Sequence, residues 1–258
     1  MARQTSKTST KKASKKPSTK PAKTAGKAEV VTTRLRPLAW LRRWAVRGGL
    51  AALLLVFLMV LSGRWINPLT TPYMLHEKGR LGGIDQYWVP IEGVAPVMAR
   101  AVVAAEDADF CEHWGFDVSA IRSALDAGAY RGASTISQQV VKNVYLWQGR
   151  SWLSKALEAL ITPMMEALWT KERILEVYLN VAEFDEGVFG VEAAARHYFG
   201  VGPEALTPVM AARLAAILPA PKPRDAANPS AKTRARAAQI LDGAATISRD
   251  GRAACFED

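Results

Sequence analysis

The longest uninterrupted apolar segment of the chain is GGLAALLLVFLMVLSG, which covers residues 48–63 without a single charge. Its sixteen residues would extend about 24 Å as a helix, slightly less than the roughly 30 Å hydrocarbon core of a bilayer. Ala45, Val46 and the snorkelling arginines on either side, among them Arg47 and Arg64, can extend the segment. We therefore expect a transmembrane anchor at 44–66. A cleaved signal peptide is the alternative, which is disfavoured because the run begins late and no small-residue cleavage signature follows it.

After the anchor, apolar residues recur with the spacing of amphipathic helices. The apolar positions from 97 to 105 follow this spacing and predict a helix that ends near Glu106. Further helix starts are indicated by N-cap residues and by proline in the first turn, at Ser151, at Thr170, at Thr207-Pro208 and at Asn228-Pro229. Pro163 should kink or interrupt the helix that follows Ser151. No run of alternating strands is present, so residues 67–258 are predicted to form one mainly α domain of about 190 residues, in two lobes.

The net charge of +10 is concentrated in the N-terminal tail. Residues 1–47 contain fourteen Lys and Arg and one acid, so the rest of the chain carries a net charge of about −3. This near-neutral remainder argues against a nucleic-acid-binding fold, and a basic nucleic-acid-binding arm is the alternative for the tail. Residues 1–43 are predicted to be disordered, because their Lys-, Ser- and Thr-rich composition offers little apolar surface to bury. By the positive-inside rule, the tail lies in the cytoplasm beside anionic lipid, and the domain lies on the outer side.

The segment VVAAEDADFCEHWGFD, residues 102–117, places adjacent carboxylates where the predicted helix ends. A carboxylate at a helix C-terminus lies in the negative field of the helix dipole, and burial adds a cost of desolvation. Both effects raise its pKa towards neutrality, which suits a general base. Adjacent helix positions point in different directions, so Glu106 and Asp107 should have different roles. An ordinary solvated acidic pair that closes a helix is the alternative.

A second segment, RGASTISQQVVKNVYLWQGRSW at 131–152, is rich in hydrogen-bond donors. No Asp or Glu occurs between 127 and 157, whereas Arg131, Lys142, Arg150 and Lys155 all fall in or beside the segment. Such a stretch favours an anionic ligand such as a diphosphate. A polar loop with core aromatic residues is the alternative.

A third segment begins KALE and places Lys155 and Glu158 on one helix face, since they are separated by three residues. Taken alone, this spacing is more typical of a surface ion pair than of a site. The two cysteines, Cys111 and Cys255, could pair on the oxidising side of a membrane, but nothing in the sequence pairs them and they lack metal-ligand spacing. A disulfide is therefore the less favoured state.

Together, EDADFCEHWGFD, GASTISQQVVKN and KALE…KERILEVYLN…GVFGVEAAARHYF, in that order, resemble the peptidoglycan glycosyltransferases of glycosyltransferase family 51. These enzymes form the polymerising domain of bifunctional penicillin-binding proteins and of monofunctional biosynthetic transglycosylases. The resemblance covers about 75–240, and the end at Asp258 leaves no room for a penicillin-binding module, so the monofunctional form is expected. It implies a lysozyme-like, two-lobed helical domain that polymerises lipid II at the outer face of the cytoplasmic (inner) membrane.

The resemblance also implies roles for individual residues. Glu106 would deprotonate the 4-hydroxyl of the acceptor sugar, and Glu158 would be a second catalytic carboxylate near the departing diphosphate. Nine residues are predicted to bind substrate, either because they match substrate contacts of the family or because they belong to the donor-rich stretch or the acidic pair. They are Asp107, Ser134, Thr135, Gln138, Gln139, Lys142, Asn143, Arg150 and Lys155. Asp107 would also help His113 to hold the turn that aims Glu106. No cofactor is obligatory in this interpretation, although Mg²⁺ or Mn²⁺ could bind near Glu158.

Implied partners are lipid II, the growing glycan strand, the membrane, and penicillin-binding or divisome proteins, with no nucleic acid. Two positions depart from the family pattern. Ser154 stands where an arginine is common, which removes a cation near Glu158, and Asp185 stands where a glycine is common.

Two other functions remain open from the sequence. One is a lysozyme-like enzyme that cleaves peptidoglycan with Glu106 as its acid, against which the anchor and the acid-free stretch argue. The other is an inactive, membrane-anchored scaffold that binds lipid II, against which the presence of both Glu106 and Glu158 argues.

Overall fold

The computed structural model describes residues 37–126, 128, 134–147, 149, 151–218 and 220–257. Most of the predicted tail, residues 1–36, lies outside this range. The chain forms two compact units, Met1–Val46 and Arg47–Asp258. All of the site residues predicted above belong to the second unit, and the description that follows concerns mainly that unit.

The described residues are mainly helical, as the apolar spacing predicts. The helices are α1 (Pro37–Ser62), α2 (Pro72–Leu81), α3 (Pro96–Glu106), α4 (Val118–Asp126), α5 (Ile136–Tyr145), α6 (Trp152–Leu168), α7 (Lys171–Val181), α8 (Val191–Phe199), α9 (Pro208–Ile217) and α10 (Ala231–Asp250). Helix α3 ends at Glu106, so the prediction for that helix is confirmed. Helix α6 continues through Pro163, so the predicted interruption does not occur.

The predicted N-caps are confirmed at three of four positions. The side chains of Ser151, Thr170 and Thr207 each accept a hydrogen bond from the backbone N–H three residues further on. The prediction at Asn228-Pro229 is wrong, because α10 begins two residues later and its cap is Ser230, which accepts from Thr233 N. Asn228 instead donates its backbone N–H to Asp225 in the preceding loop, at 2.9 Å.

Helix α1 covers residues 44–62 of the anchor predicted at 44–66. Within its span Leu38–Ser62, the most apolar 18-residue segment has a mean hydropathy of 2.2, and α1 is the one helix in the described part of the chain that is long and apolar enough to cross a membrane. Near the end of α1, Val60 is fully buried and its carbonyl accepts a 2.8 Å hydrogen bond from Trp169 Nε1. A Cβ atom on the adjoining Gly63 would lie 2.4 Å from the Trp169 ring. The last turn of the apolar helix is therefore packed closely against the domain that follows it.

Two groups of helices stand out in the packing of the domain. Helices α3, α9 and α10 contact one another in the first group, and α5 contacts both α6 and α7 in the second. The sequence analysis did not identify a small sheet of strands β1 (Asp85–Gln86), β2 (Glu183–Asp185) and β3 (Val188–Phe189). Its order is β1-β3-β2, with β1 parallel and β2 antiparallel to β3. Asp185 lies in β2 with its carboxylate 3.3 Å from His197, so this departure from the family pattern sits in the sheet.

Cys111 and Cys255 form a disulfide, with Cα atoms 5.6 Å apart, so the sequence expectation of unpaired cysteines is wrong. The two residues are separated by 144 positions, and they meet because the segment after α10 packs on the turn after α3. Phe256 lies against Phe110, with ring centroids 6.4 Å apart, and Arg252 donates to the Ala108 carbonyl at 3.2 Å. The C-terminal segment is thus joined covalently to the turn that follows Glu106.

Removal of this disulfide should destabilise the domain without changing its fold. The disulfide closes a long loop and so restricts the unfolded chain, and its removal raises the entropy of the unfolded state. The Cys111→Ser/Cys255→Ser variant should therefore lose about 3–5 kcal/mol of unfolding free energy. Thermal unfolding of the detergent-solubilised protein would show a lower Tm. Dithiothreitol should bring the unmodified protein to the same Tm and leave the variant unchanged. A variant that melts with the unmodified protein would contradict this contribution.

Candidate active site

Glu106 is the last residue of α3, and its side chain is 11% exposed. Its Oε2 atom accepts a 3.0 Å hydrogen bond from Gln139 Nε2, whereas Oε1 is buried without a hydrogen-bond partner among the described residues. Arg236 Nη2 lies 3.7 Å from Oε1, beyond hydrogen-bonding distance. Burial raises the pKa of Glu106, and the Gln139 hydrogen bond and the Arg236 charge oppose that rise. The carboxylate thus has one oxygen held in place and one oxygen able to accept a proton.

Gln139 is oriented from its other side by Tyr178, which lies in α7 and is 2% exposed. The Tyr178 hydroxyl donates to Gln139 Oε1 at 3.4 Å, so the amide nitrogen is left to face Glu106. Burial, and then the negative charge of Glu106, raise the pKa of Tyr178 well above its usual value, which keeps it a donor. Sequence reasoning missed Tyr178. The available signal was a phenol within the apolar run ILEVYL, since a buried tyrosine hydroxyl usually needs a partner.

Asp107 follows Glu106 and is buried, with 7% of the residue exposed. One oxygen, Oδ1, lies 2.7 Å from His113 Nε2, and the other, Oδ2, accepts a 3.0 Å hydrogen bond from the backbone N–H of Ile136. Ile136 is the first residue of α5, so Asp107 joins the end of α3 to the start of α5. This geometry agrees with the predicted role of Asp107 and His113 in holding the turn. Both oxygens have partners within the protein, and contact of Asp107 with substrate stays a prediction.

The start of α5 is fixed by a capping box. Thr135 accepts from Gln138 N, and Gln138 Oε1 accepts from Thr135 N at 3.1 Å. The Thr135 hydroxyl also donates to the Gly115 carbonyl at 2.7 Å, which joins α5 to the turn after α3 a second time. Gly115 has a φ of 80°, and a Cβ there would lie 2.5 Å from Thr162 Cγ2, so this turn requires glycine. Thr135 is 2% exposed, and its contacts in the structure stabilise the start of α5 and the turn after α3.

Glu158, on α6, forms the second cluster of the site. Its Oε1 atom accepts hydrogen bonds from Gln138 Nε2 at 3.0 Å and from Lys155 Nζ at 2.5 Å, and its side chain is 7% exposed. The predicted proximity of Lys155 and Glu158 is therefore confirmed, although Lys155 itself is 60% exposed. Lys142 is half-buried on α5. Burial lowers the pKa of Lys142, while the charges of Glu158 and Glu106 act in the opposite direction.

The remaining predicted residues are distributed around these two clusters. Ser134 is exposed, and together with Thr135 and Glu106 it lines a cavity of about 260 Å³. Asn143 lies half-buried on α5. Arg150, predicted to bind substrate, lies outside the described residues. Ser154 is buried in the first turn of α6 and leaves the cation of this turn to Lys155.

A divalent metal near Glu158 stays a prediction. Among the described residues, no group of three or more His, Cys, Asp or Glu side chains is placed to hold a metal ion. The neighbours of Glu158 are an amide nitrogen and an ammonium group, which are donors rather than metal ligands. These described side chains do not fit a protein-built Mg²⁺ or Mn²⁺ site, and the chemistry derived below passes through no metal.

Known proteins resemble this chain over most of its length. The sequence model of the family described as Transglycosylase matches residues 76–245. This chain belongs to the transglycosylase family. The biosynthetic peptidoglycan transglycosylase of Jannaschia sp. (strain CCS1) is 57% identical over 91% of this chain and 99% of its own length. Those of Rhodospirillum centenum and Caulobacter vibrioides are 46% and 42% identical, over 84% and 79% of this chain and 95% and 94% of their own lengths.

In this transglycosylase, helix α5 links the two carboxylates. Consecutive glutamines on α5 donate to different acids, Gln138 to Glu158 and Gln139 to Glu106. Lys142 follows one turn later and is influenced by both negative charges. The three sequence motifs therefore meet in one site, with the buried Glu106 carboxylate at one end and a lysine-containing cluster at the other.

The hydrogen bond from Gln139 should set the lower pH limit of transglycosylase activity. Gln139→Met removes a donor that stabilises the charged form of Glu106, so the pKa of Glu106 should rise further. Because a general base acts in its deprotonated form, the acidic limb of the kcat–pH profile should move to higher pH. The measurement is the initial rate across a pH series. Gln86→Met, at a half-buried glutamine in β1, is the matched control and should leave the limb in place. An unmoved limb in Gln139→Met would show that Glu106 does not govern it.

Proposed function

We propose that this transglycosylase polymerises lipid II into β-1,4-linked glycan strands of peptidoglycan and releases undecaprenyl diphosphate. The observation that carries the proposal is the buried Glu106 carboxylate with its unpaired Oε1 atom, linked through α5 to the Lys142, Lys155 and Glu158 cluster. A base and an anion-binding cluster in one site suit the transfer of a sugar from a diphosphate to a hydroxyl. The names of the relatives, which are biosynthetic peptidoglycan transglycosylases, support the same substrate.

The reaction begins with the acceptor sugar. Glu106 Oε1 takes the proton from the 4-hydroxyl, while Gln139 and Tyr178 keep the other carboxylate oxygen fixed. The 4-oxygen attacks C1 of the donor sugar from the face opposite its α-linked diphosphate. A C–O bond forms at C1 as the bond to the diphosphate breaks, and its electron pair stays on the leaving oxygen. The configuration inverts to β, and the proton remains on Glu106 until solvent or the leaving group removes it.

The developing negative charge of the diphosphate is met by the lysines of the second cluster. Lys142 is half-buried, so its charge is less screened by water than that of an exposed lysine. Glu158 holds Lys155 through their ion pair and stays in place through the amide of Gln138. Donors positioned where charge develops are usually the largest catalytic contribution. A glycan-cleaving enzyme has no diphosphate to stabilise, and this cluster therefore favours polymerisation over cleavage.

The membrane arrangement follows from the charges that flank α1. We place the protein in the cytoplasmic (inner) membrane, with the basic tail in the cytoplasm and the catalytic domain on the outer, periplasmic side. This orientation brings the domain to the leaflet from which a lipid-linked donor is supplied. Penicillin-binding and divisome proteins are the protein partners that fit an enzyme acting there, and no nucleic acid is required.

Labelled lipid II tests the function and the base together. The detergent-solubilised full-length chain should convert lipid II to a ladder of products that a muramidase removes. Glu106→Gln should lower the rate about 10²–10⁴-fold, because general base catalysis contributes about that much, and should retain lipid II binding. Glu158→Gln should lower the rate about 10²-fold by leaving the cationic cluster without its carboxylate.

Glu112→Gln is the control, since Glu112 is an exposed acid in the turn after α3 and should behave as the unmodified chain does. Two outcomes would contradict the proposal. Release of reducing or 1,6-anhydro ends from sacculi, with no polymer from lipid II, would assign the chain to peptidoglycan cleavage. Equal behaviour of Glu106→Gln and the unmodified chain, with lipid II bound by both, would assign it to a binding scaffold.

A further inference from the structure

A second cavity, of about 680 Å³, lies beside Glu106 on the side of α9 and α10. It is lined by Arg224 from the loop before α10 and by Lys232 and Arg236 from α10 itself. Arg236 connects the cavity to the catalytic carboxylate, since its Nη2 atom is 3.7 Å from Glu106 Oε1. Arg224 is near enough for its charge to lower the pKa of Glu106. The charge of Glu106 thus interacts with cations of two regions, Lys142 of the α5 cluster and Arg236 and Arg224 of this cavity.

The cavity carries a net positive charge. Of the described residues that line it, three are basic and one, Asp225, is acidic. The Asp225 carboxylate already accepts hydrogen bonds from the backbone N–H groups of Ala227 and Asn228, at 2.7 and 2.9 Å. The hydrogen bond from Asn228 is the main cause that holds the pKa of Asp225 below its usual value. Its charge is therefore engaged with its own loop.

The three cations keep donors for a ligand. Arg224 donates to the Ala216 carbonyl at 3.1 Å, and Arg236 donates to the Ala105 carbonyl at 3.3 Å, so a backbone contact orients each guanidinium and leaves further N–H groups. Lys232 is exposed and makes no ion pair with any residue that the structure describes. This arrangement suits an anion, and a carboxylate or a phosphate can match a guanidinium.

The other residues that line the cavity favour a peptide carboxylate over a phosphate. The lining also includes the amides of Asn228 and Gln239 and the apolar surfaces of Ala216, Pro223 and Ala235. A bare diphosphate gains nothing from apolar surface, whereas a short peptide presents amides, methyl groups and carboxylates together. The leaving diphosphate is, moreover, already matched by Lys142 and Lys155 on the α5–α6 side of Glu106.

We propose that this cavity is a subsite for the stem peptide of the substrate, in which Lys232, Arg224 and Arg236 hold a peptide carboxylate. The inference rests on the proposed function, because the stem peptide is part of lipid II. It makes the peptide, in addition to the sugars and the diphosphate, a determinant of substrate affinity. Since Arg236 also faces Glu106, an occupied cavity fixes the cation nearest to the base.

The test compares two forms of lipid II, one with free stem-peptide carboxylates and one in which they are converted to amides. Binding is measured with full-length Glu106→Gln protein, which should turn the substrate over about 10²–10⁴-fold more slowly, so polymerisation is negligible during a short binding measurement. The amidated form should bind about three- to tenfold more weakly, an effect of the size expected for a solvent-accessible charged contact. Adding Lys232→Gln should weaken binding of the free-carboxylate form by a similar factor and reduce the difference between the two forms.

Lys78→Gln, an exposed lysine on α2, is the matched control and should preserve the difference. Lys232→Glu reverses the charge and should weaken binding of the free-carboxylate form of lipid II more than Lys232→Gln does. Equal affinity for the two forms in the Lys232-containing protein would overturn the proposal. An equal loss of affinity for both forms of lipid II in Lys232→Gln would also overturn the proposal and would assign the cavity to the diphosphate. The proposed function is tested separately, by polymer formation from lipid II by the protein with Glu106 intact.

Discussion

The geometry of the active site depends on the buried carboxylate of Asp107. Burying a charge is costly, and the cost is offset here by the Ile136 N–H and by His113. The Ile136 N–H is one of the donors that α5 cannot satisfy internally, and a negative charge at that end also interacts well with the helix dipole. Because α5 carries the two glutamines that donate to these buried acids, displacement of Asp107 would disturb Glu106 and Glu158 together.

The two acids have different surroundings, and their roles follow from this difference. Glu106 is buried with one oxygen unpaired, so it can exchange a proton with a substrate hydroxyl. Glu158 is equally buried, but its Oε1 atom accepts from an ammonium group and an amide, so its charge is committed to holding the cation. Each acid accepts a hydrogen bond from its own neutral glutamine, Glu106 from Gln139 and Glu158 from Gln138.

Local signals allowed much of the fold to be predicted. The caps at Ser151, Thr170 and Thr207 lie next to the helices they begin, and the Lys155–Glu158 pair follows from spacing on one helix. The strands could not be predicted, because they contain two or three residues and show no periodicity. Ser230 was missed as the N-cap of α10 because Asn228-Pro229 is an equally good local signal for a helix start. In the structure, Asn228 donates to Asp225 in the preceding loop instead. Tyr178 and the cavity beside α10 depend on contacts between distant segments, which spacing along the chain does not reveal.

The disulfide also imposes an order of events in time. Cys255 follows Cys111 by 144 residues, so the bridge can close only after all of the intervening chain has been synthesised. Cys111 lies five residues after Glu106, and its partner belongs to the segment that packs on the same turn. Until then, the turn that follows Glu106 is neither covered by the C-terminal segment nor joined to it. Completion of this part of the fold therefore coincides with arrival of the last segment of the chain.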